Sequence, residues 1–324
     1  MATATAATIA KRLRSAGAAE VNADYERLKD RACADSSALA RTGLVALDHY
    51  FLKYRIKAKT KRGISFYEAI KDPAIDRYLA EKVDQLKAAK RKNTADQVLR
   101  LKYDVFQLYY GTINQFRPTE AVKLYCALKP RLGILDFSAG WGGRCLAAAA
   151  LGIPYVGIDA NTNLEQPYKA MLRDLAPDAD VTMIFKPSET VDFSRFKYDL
   201  VFTSPPYFMI EGYEKMPAYA GKEAFLNIFF RPVVEKAWAS LAVGGHLALN
   251  MPVEMYEAVR SCLPPLARQI ELALAGRHAT NAAAGKRLGT SEPYREYTYV
   301  WKKTGRRKTV KCRPTGSNST RRAK

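Results

Sequence analysis

Ser204, Pro205 and Pro206, followed by Tyr207 and Phe208, could together hold a flat ring that carries an amino group. The two prolines fix consecutive φ angles and lack N–H groups, which predicts a rigid shelf. The serine hydroxyl and nearby carbonyls can accept hydrogen bonds from the amino group, while the aromatic faces stack on the ring. The motif is short, and an ordinary Pro-Pro turn with an aromatic lid also fits it.

A strand has to position this shelf. Residues 199–202 form a short, largely apolar and β-prone run, which predicts a buried strand of a parallel sheet. In an open α/β sheet, ligands bind at the carboxyl ends of the strands, where the shelf would lie. The segment that follows, residues 209–221, is long enough for a lid or substrate loop.

A stronger signal is a glycine-rich loop between two apolar runs. Gly140, Gly142 and Gly143 let a backbone come close to a ligand, and a following helix offers free N–H groups to an anionic end. Asp159 ends the second run, where an acid usually binds ribose hydroxyls. The loop is not G-x-G-x-x-G, and Asp136 before it gives the D-x-x-x-G pattern typical of S-adenosylmethionine sites. The predicted strand, loop, helix and strand are 134–137, 138–143, 144–151 and 155–158.

Composition limits the class of protein. The chain has 324 residues, of which 48% are hydrophobic, enough for one large α/β domain and a smaller appendage. Its 52 Lys and Arg against 32 Asp and Glu give a net charge of +20. This charge predicts a polyanionic partner, with nucleic acid ahead of a membrane. No apolar run approaches the ~18 to 20 residues of a transmembrane helix.

The first third of the chain is predicted to be helical and basic. Two clusters of cations stand out, and each alone also fits a solvated helix face. Together they predict a surface that contacts phosphates. Tyr50, Phe51 and Tyr54 have helical spacing and are predicted to be core. The clusters are Lys53, Arg55, Lys57, Lys59, Lys61 and Arg62, and then Lys87, Lys90, Arg91 and Lys92.

The cysteines show no local pairing pattern. There is no CxxC motif and the chain has three histidines, which argues against a disulfide framework or a zinc site and favours a reducing, intracellular setting. None follows a proline, so the Pro-Cys nucleophile that attacks pyrimidine carbon is absent. The five are Cys33, Cys126, Cys145, Cys262 and Cys312.

Together these motifs resemble the class I, Rossmann-like S-adenosylmethionine-dependent methyltransferases, and among them the DNA methyltransferases that modify exocyclic amino groups. The resemblance covers roughly residues 114–303. The family's glycine motif, DxFxGxG, is here D-F-S-A-G-W-G, with Phe137 one place early. Its (D/N/S)PPY motif is here TSPPY, which is most similar to the cytosine-N4 branch. The motif order, with Phe-x-Pro at 116–118 first, is similar to the gamma class.

The resemblance implies an α/β fold: a Rossmann-like class I methyltransferase sheet with helices on both faces. The basic helical N-terminal region lies outside the resemblance and is expected from its residues. It implies S-adenosylmethionine as cofactor and no metal. The expected domains are a basic arm at 1–22, a helical region at 23–109, the methyltransferase domain at 110–303 and a disordered basic tail at 304–324.

The resemblance also implies the roles of individual residues. Those expected around the methionine portion are Asp136, Ser138, Gly140 and Gly142. Those expected on the nucleoside are Asp159 at the ribose and Ser188 and Glu189 near the adenine, with Asp192 competing for the last place. Those expected to close the pocket are Asn114, Phe116 and Pro118. The expected catalytic residues are Ser204, Pro205, Pro206 and Tyr207, with Phe208 binding the substrate base.

The expected activity is methyl transfer to an exocyclic amino group of a DNA base, with cytosine N4 ahead of adenine N6. An RNA adenine-N6 methyltransferase is the main alternative, because phosphate-binding charge does not distinguish the two polymers. A non-catalytic nucleic-acid-binding module is a second alternative. A small-molecule or protein-glutamine methyltransferase is a third, since a PPY shelf can hold a planar amide.

Overall fold

The structure is a computed structural model that describes part of the chain. Its described residues are 4–30, 33, 41–85, 94–206, 211–212, 219–271 and 297–305, with only the backbone described at 211, 212 and 271. Four predictions lie outside these residues: the positions of Tyr207 and Phe208, the second basic cluster, most of the lid, and the tail beyond residue 305.

The helices and strands follow one another along the chain as twelve α-helices and nine strands within the described residues. The helices are α1 (Ala6–Leu13), α2 (Ala18–Asp30), α3 (Leu44–Arg55), α4 (Phe66–Ala69), α5 (Pro73–Gln85), α6 (Ala95–Tyr110), α7 (Pro118–Leu128), α8 (Gly143–Ala150), α9 (Glu165–Leu175), α10 (Lys222–Ala224), α11 (Arg231–Ser240) and α12 (Val253–Val259). The strands are β1 (Lys59–Thr60), β2 (Ile134–Asp136), β3 (Tyr155–Ile158), β4 (Val181–Ile184), β5 (Leu200–Thr203), β6 (Glu211–Gly212), β7 (His246–Met251), β8 (Arg268–Glu271) and β9 (Tyr297–Lys302).

Seven strands form one sheet in the order β4-β3-β2-β5-β7-β9-β8. Neighbours β3 and β4, β2 and β5, and β5 and β7 are parallel, whereas β9 is antiparallel to both β7 and β8. The first five strands in this order, β4-β3-β2-β5-β7, have the doubly wound arrangement. In that arrangement the strand order along the sheet reverses beside the first strand of the sheet. The predicted α/β fold with a Rossmann-like, mostly parallel sheet is therefore confirmed.

The chain divides into two compact units. The first unit comprises Met1–Lys129, Ser138–Pro187 and Pro206–Pro217. The second comprises Pro130–Phe137, Ser188–Pro205 and Ala218–Lys324. The helical N-terminal region thus shares a unit with the glycine loop, while the segment that ends at Pro205 belongs to the other.

The first unit has a helical core that includes residues of the expected basic arm at 1–22. Thr5 caps α1 by accepting a hydrogen bond from the Thr8 N–H at 3.2 Å. Ile9 and Leu13 are buried in a cluster that also contains Phe66 from α4. The arm is ordered because its apolar residues recur at a spacing of four, which places them on one face of a helix.

The second unit contains β2, β5 and β7, together with the helices between β5 and β7. The helical stretch between β5 and β7 consists of α10, a π-helical segment at Phe225–Phe230, and α11. Lys303 follows β9 and is 5% exposed. Its ammonium donates to the carbonyls of Trp238, Ala239 and Leu241 at 2.8, 3.0 and 2.7 Å, which satisfies the carbonyl end of α11.

The cysteine spacing argued against a disulfide framework, and the structure contradicts that expectation. Cys33 and Cys126, which are 93 residues apart in sequence, are joined by a disulfide, and Cys262 is disulfide-bonded as well. Cys145 is buried and is not disulfide-bonded. A separation of this length has no local motif, because the pair is brought together by folding. In the described part of the chain, no helix has the length and apolar character needed to cross a membrane.

Candidate active site

The glycine loop is held by the tip of β3 through three backbone groups. The Ala139 N–H donates to the Ile158 carbonyl at 2.9 Å, and the Gly140 N–H donates to Asp159 Oδ2 at 2.8 Å. Asp159 Oδ1 accepts from the Asn161 N–H at 2.8 Å. Each carboxylate oxygen has a second lone pair, so Asp159 can orient the loop and still accept a hydrogen bond from a ribose hydroxyl.

The glycines of the loop differ in what surrounds them. A Cβ at Gly142 would lie 2.8 Å from the Phe51 ring, and one at Gly143 would lie 1.9 Å from the Phe116 carbonyl oxygen. A Cβ at Gly140 would find no atom nearer than 3.9 Å. Gly142 and Gly143 are therefore required for packing within the protein, and Gly140 is the position that leaves space for a ligand.

Arg144 supports the same loop, although the sequence suggested only a residue at a helix start. It is the second residue of α8 and is 3% exposed. Its guanidinium donates to the Ser138 carbonyl and lies 5.1 Å from the centroid of the Phe116 ring. The Tyr168 hydroxyl donates to the Gly140 carbonyl at 3.0 Å. The hydrogen bonds from Arg144 and Tyr168 fix the backbone of the glycine loop.

The segment between α6 and α7, together with the first residue of α7, contains three of the expected pocket residues. Asn114 is exposed. Phe116 is half-buried, and the Arg144 guanidinium lies over its ring. Pro118 is buried at the first position of α7, where a Cβ on Gly43 would come within 2.7 Å of its ring. Pro118 thus has a packing role, and Asn114 and Phe116 remain the two candidates for contact with a cofactor.

A buried ion pair anchors this segment and removes Arg55 from the predicted phosphate-contacting cluster. Arg55 Nη2 lies 2.6 Å from Asp48 Oδ1, and the two side chains are 6% and 3% exposed. Gln115 donates to the same carboxylate oxygen at 3.2 Å and also accepts from Arg55. Arg14 lies 3.1 Å from the other oxygen. Arg55 is needed inside because it balances the charge of a buried aspartate.

In the second unit, a short turn after β4 contains the residues expected near the adenine. The buried Ser188 hydroxyl donates to the Phe137 carbonyl, directly after β2. Glu189 is half-buried, and burial together with Glu189 raises the pKa of Tyr219 to about 12. Asp192 is exposed, and hydrogen bonds from Ser194 lower its pKa. Asp192 therefore has a local role in the turn, which leaves Glu189 as the better candidate.

Lys236 of α11 holds this turn and was not found from the sequence. Its ammonium donates to the carbonyls of Ser188, Glu189 and Val191 at 2.9, 2.9 and 2.7 Å. It also lies 4.6 Å from the centroid of the Phe193 ring. Burial lowers the pKa of Lys236, while Glu189 and Asp192 act in the opposite direction. All three ammonium hydrogens are thus directed at backbone carbonyls of one turn.

The proline shelf follows β5 and is joined to β7 by a polar contact. The Ser204 hydroxyl donates to Asn250 Oδ1 at 3.1 Å, and Asn250 Nδ2 donates to the Tyr297 carbonyl at 3.2 Å. Asn250 is fully buried. A hydroxyl has one donor hydrogen and two acceptor lone pairs. Because the hydrogen points to Asn250, the Ser204 oxygen can act as an acceptor for another group.

Adjacent strands bring Asp136 and the shelf to one edge of the sheet. β2 and β5 are parallel neighbours in which Ile134 is opposite Leu200 and Leu135 is opposite Val201. The next residues along both strands, Asp136 and Thr203 among them, are fully buried. The glycine loop continues directly from the first strand and the shelf from the second. The predicted placement of both motifs at carboxyl strand ends is therefore observed.

Comparisons with known proteins give structural similarity alone. No family model and no curated protein matches the chain. The solved structure of NSun6 from Pyrococcus horikoshii with SFG is 16% identical at a TM-score of 0.42, and the match covers 68% of this chain and 62% of that one. The hMettl16 catalytic domain in complex with MAT2A 3′UTR hairpin 1 is 13% identical at 0.40, with 72% and 92% covered.

The M. jannaschii tRNA m1G37 methyltransferase is 14% identical at a TM-score of 0.37, with 60% of this chain and 53% of that one covered. The chain thus spans about half the length of that protein. At these identities and TM-scores the three structures provide no argument about substrate or partner.

Proposed function

We propose that the protein transfers a methyl group from S-adenosylmethionine to an exocyclic amino group of a nucleic-acid base, with cytosine N4 in DNA as the leading target. The observation that carries this proposal is the hydrogen bond from Ser204 to Asn250. This bond uses the hydroxyl hydrogen, so the serine oxygen acts as an acceptor toward another group. Ser204 follows β5, which is the neighbour of β2, and β2 leads into the glycine loop. An amino group is a donor, so the shelf has the complementary chemistry.

The residues of the glycine loop fit the cofactor. Gly140 has open space at its Cα, and Asp159 combines a fixed carboxylate with lone pairs for ribose hydroxyls. We assign the methionine end to the loop with Asp136 and Ser138, and the adenine to the turn at Ser188 and Glu189. When bound, the cofactor supplies an electrophilic sulfonium methyl group.

The protein's own contribution is alignment and polarisation of the amine. The nitrogen lone pair of an exocyclic amine is delocalised into the ring, so the amine is a weak nucleophile. Hydrogen bonds from the amine to Ser204 and to the Pro205 carbonyl would draw the nitrogen toward tetrahedral geometry. Such positioning contributes several kcal/mol to rate enhancement. The amine proton can leave after methyl transfer, so no general base is required at the start.

A base inside a duplex has to be extruded before it reaches the shelf, at a cost of a few kcal/mol. We assign Tyr207 and Phe208 to stacking on the extruded base, since stacking contributes about 1 to 3 kcal/mol per base. Pro205 and Pro206 keep the backbone ahead of these aromatic residues extended. A single-stranded substrate avoids the extrusion cost, which makes single strands the preferred first test.

The test is a base-resolved methylation assay with matched DNA and RNA oligonucleotides and labelled S-adenosylmethionine. Label on cytosine N4 or adenine N6 of DNA is expected. Label found solely in RNA adenine would establish the RNA alternative and overturn the DNA assignment. Calorimetry gives the second discriminating result, because a non-catalytic module built on this fold would bind nucleic acid without binding S-adenosylmethionine.

A further inference from the structure

The loop between α3 and α4, which we call the basic turn (residues 57–63), carries a concentration of exposed cations. Lys57, Lys59, Lys61 and Arg62 are exposed, while Ala58 and Thr60 between them are buried. The residues of the turn include no acid. The cations therefore form one positively charged surface supported by small residues that face inward.

The turn has a defined backbone conformation. The Thr60 N–H donates to the Ile64 carbonyl at 3.0 Å, and the Gly63 N–H donates back to the Thr60 carbonyl at 2.8 Å. The Thr60 hydroxyl donates to the Ile64 carbonyl at 3.1 Å and accepts from the Arg62 N–H at 3.3 Å. Gly63 takes φ +76°, which favours glycine. A preformed turn reduces the ordering cost of binding.

The basic turn contacts two other segments of the chain, one that follows the shelf and one that precedes the expected cofactor residues. β1 pairs antiparallel with β6, with Thr60 opposite Glu211, and β6 begins a few residues after Pro206. On its other side, a Cβ at Gly111 would lie 3.7 Å from Thr60 Cβ and 3.8 Å from Lys61 Cγ. Gly111 starts the segment that contains Asn114 and Phe116. The turn is thus connected to the chain leaving the shelf and to the chain leading to the cofactor residues.

Most cations of the basic turn have no acidic partner among the described residues, whereas several exposed cations on the helices do. Lys29 pairs with Glu26 and Lys169 pairs with Glu165, each about one helical turn away. Within the basic turn, Lys59 has Glu68 at 3.6 Å. In the described part of the chain, Lys57, Lys61 and Arg62 form no ion pair. Their charge is available to an external anion.

We propose that the basic turn binds the phosphates of the nucleic-acid strand that carries the target base. This inference rests on the proposed function, and it assigns strand binding to a specific element outside the methyl-transfer residues. A strand that neutralises the turn is held beside β6, on the segment that continues from the shelf. Such binding would also stabilise the β1–β6 pairing, because the phosphates reduce repulsion among the lysines next to it.

The experiment compares two variants that each lose four exposed cations. The turn variant is Lys57→Gln, Lys59→Gln, Lys61→Gln and Arg62→Gln. The control variant, with the same change in net charge, is Arg195→Gln, Lys197→Gln, Arg260→Gln and Lys302→Gln, all exposed residues of the second unit. Fluorescence anisotropy measures the Kd for labelled single-stranded DNA and RNA without cofactor, over a series of salt concentrations.

The turn variant should bind the oligonucleotides about 10- to 100-fold more weakly at low salt. The slope of log affinity against log salt should fall by about 2 to 3, since each neutralised phosphate contributes ~0.7 on a single strand. The control should lose less than about threefold in affinity. The single substitutions Lys61→Gln and Arg62→Gln should each reduce the slope by ~0.7, which keeps the test valid if the fourfold variant is unstable.

Equal losses in the turn and control variants would overturn the inference, because they would reflect net charge rather than the turn. Turn-dependent binding of poly-glutamate as tight as that of the oligonucleotides would also overturn it, in favour of an acidic protein partner. These measurements require no methyl transfer. A turn effect without any methylated product would therefore contradict the proposed function and leave the strand-binding site in place.

Discussion

The carboxylate of Asp159 accepts a hydrogen bond from the backbone N–H of Gly140 at 2.8 Å. This contact makes the residue at the tip of β3 a support for the glycine loop as well as a candidate ribose ligand. Because a hydrogen bond to a charged group contributes about 1.5 to 3 kcal/mol, Asp159→Ala should weaken S-adenosylmethionine binding about 10- to 100-fold. Calorimetry measures the change directly.

A cofactor analogue without ribose hydroxyls separates the two roles of Asp159. The analogue should bind wild-type protein more weakly than S-adenosylmethionine does, and the Asp159→Ala variant should bind both equally. An unchanged difference between the two ligands in the variant would mean that Asp159 supports the loop and does not contact the ribose.

Lys236 should affect cofactor affinity without affecting methyl transfer at saturation. Lys236→Met removes three hydrogen bonds to the turn that contains Ser188. We expect KM for S-adenosylmethionine to rise roughly tenfold, with kcat unchanged, because each lost bond contributes about 1 kcal/mol and the turn relaxes in part. Adenosine alone should lose affinity by the same factor. Lys197→Met, at an exposed site in the same unit, is the matched control.

The pH dependence of cofactor binding should report on Lys236. Burial lowers the pKa of this ammonium. As pH rises through that value, the group loses a proton and with it one of its three donors to the turn. Cofactor affinity should therefore begin to decline at a pH where an ordinary lysine would still be charged. A Lys236→Arg variant stays charged over this range and should show no such decline; an identical decline in both proteins would contradict this account.

Asn250 should act as a positioning residue for Ser204. Asn250→Ala removes the acceptor that orients the serine hydroxyl, so kcat should fall about 10- to 100-fold while cofactor affinity stays near wild type. Asn250→Asp retains an acceptor for the Ser204 hydroxyl and should recover part of the loss. Equal rates for the Ala and Asp variants would indicate that the contact with Ser204 is structural.

The Cys33–Cys126 disulfide should stabilise the first unit. The double variant Cys33→Ser/Cys126→Ser should lose about 2 to 4 kcal/mol of unfolding free energy, measured by denaturant titration without reductant. Peptide mapping of the unreduced protein should recover the two cysteines in one linked pair. Alkylation of both thiols in unreduced protein would show that the bond does not form.

The sequence was sufficient to predict what depends on local pattern. Short apolar runs bounded by turn residues predicted β2, β3 and β5 to within a residue or two at each end. The glycine loop and the shelf were predicted to follow strand ends. The structure added contacts between residues far apart in sequence. Ser204 and Asn250 are 46 residues apart, and Lys236 and Ser188 are 48 apart. No periodicity or short motif reports such pairs, because they depend on which strands and helices become neighbours.

Arg55 and the N-terminal arm also show features that local sequence does not predict, namely which charged residue is buried and which terminal residues are ordered. Arg55 has the same sequence character as Lys57 and Lys59, yet it is buried against Asp48. Only the position of α3 in the helical core distinguishes it from the exposed lysines. Likewise, α1 is ordered by burial of Ile9 and Leu13 in a core that is assembled largely from later helices.

Mass spectrometry of nucleosides tests the central claim most directly. DNA and RNA are incubated with methyl-labelled S-adenosylmethionine and either wild-type protein or Tyr207→Ala, and are then digested to nucleosides. We predict label on an exocyclic nitrogen with the wild type, as N4-methylcytosine or N6-methyladenine, and a strong reduction with the variant. Label on carbon 5 or on a ring nitrogen, or no labelled nucleoside from protein that binds the cofactor, would contradict the account.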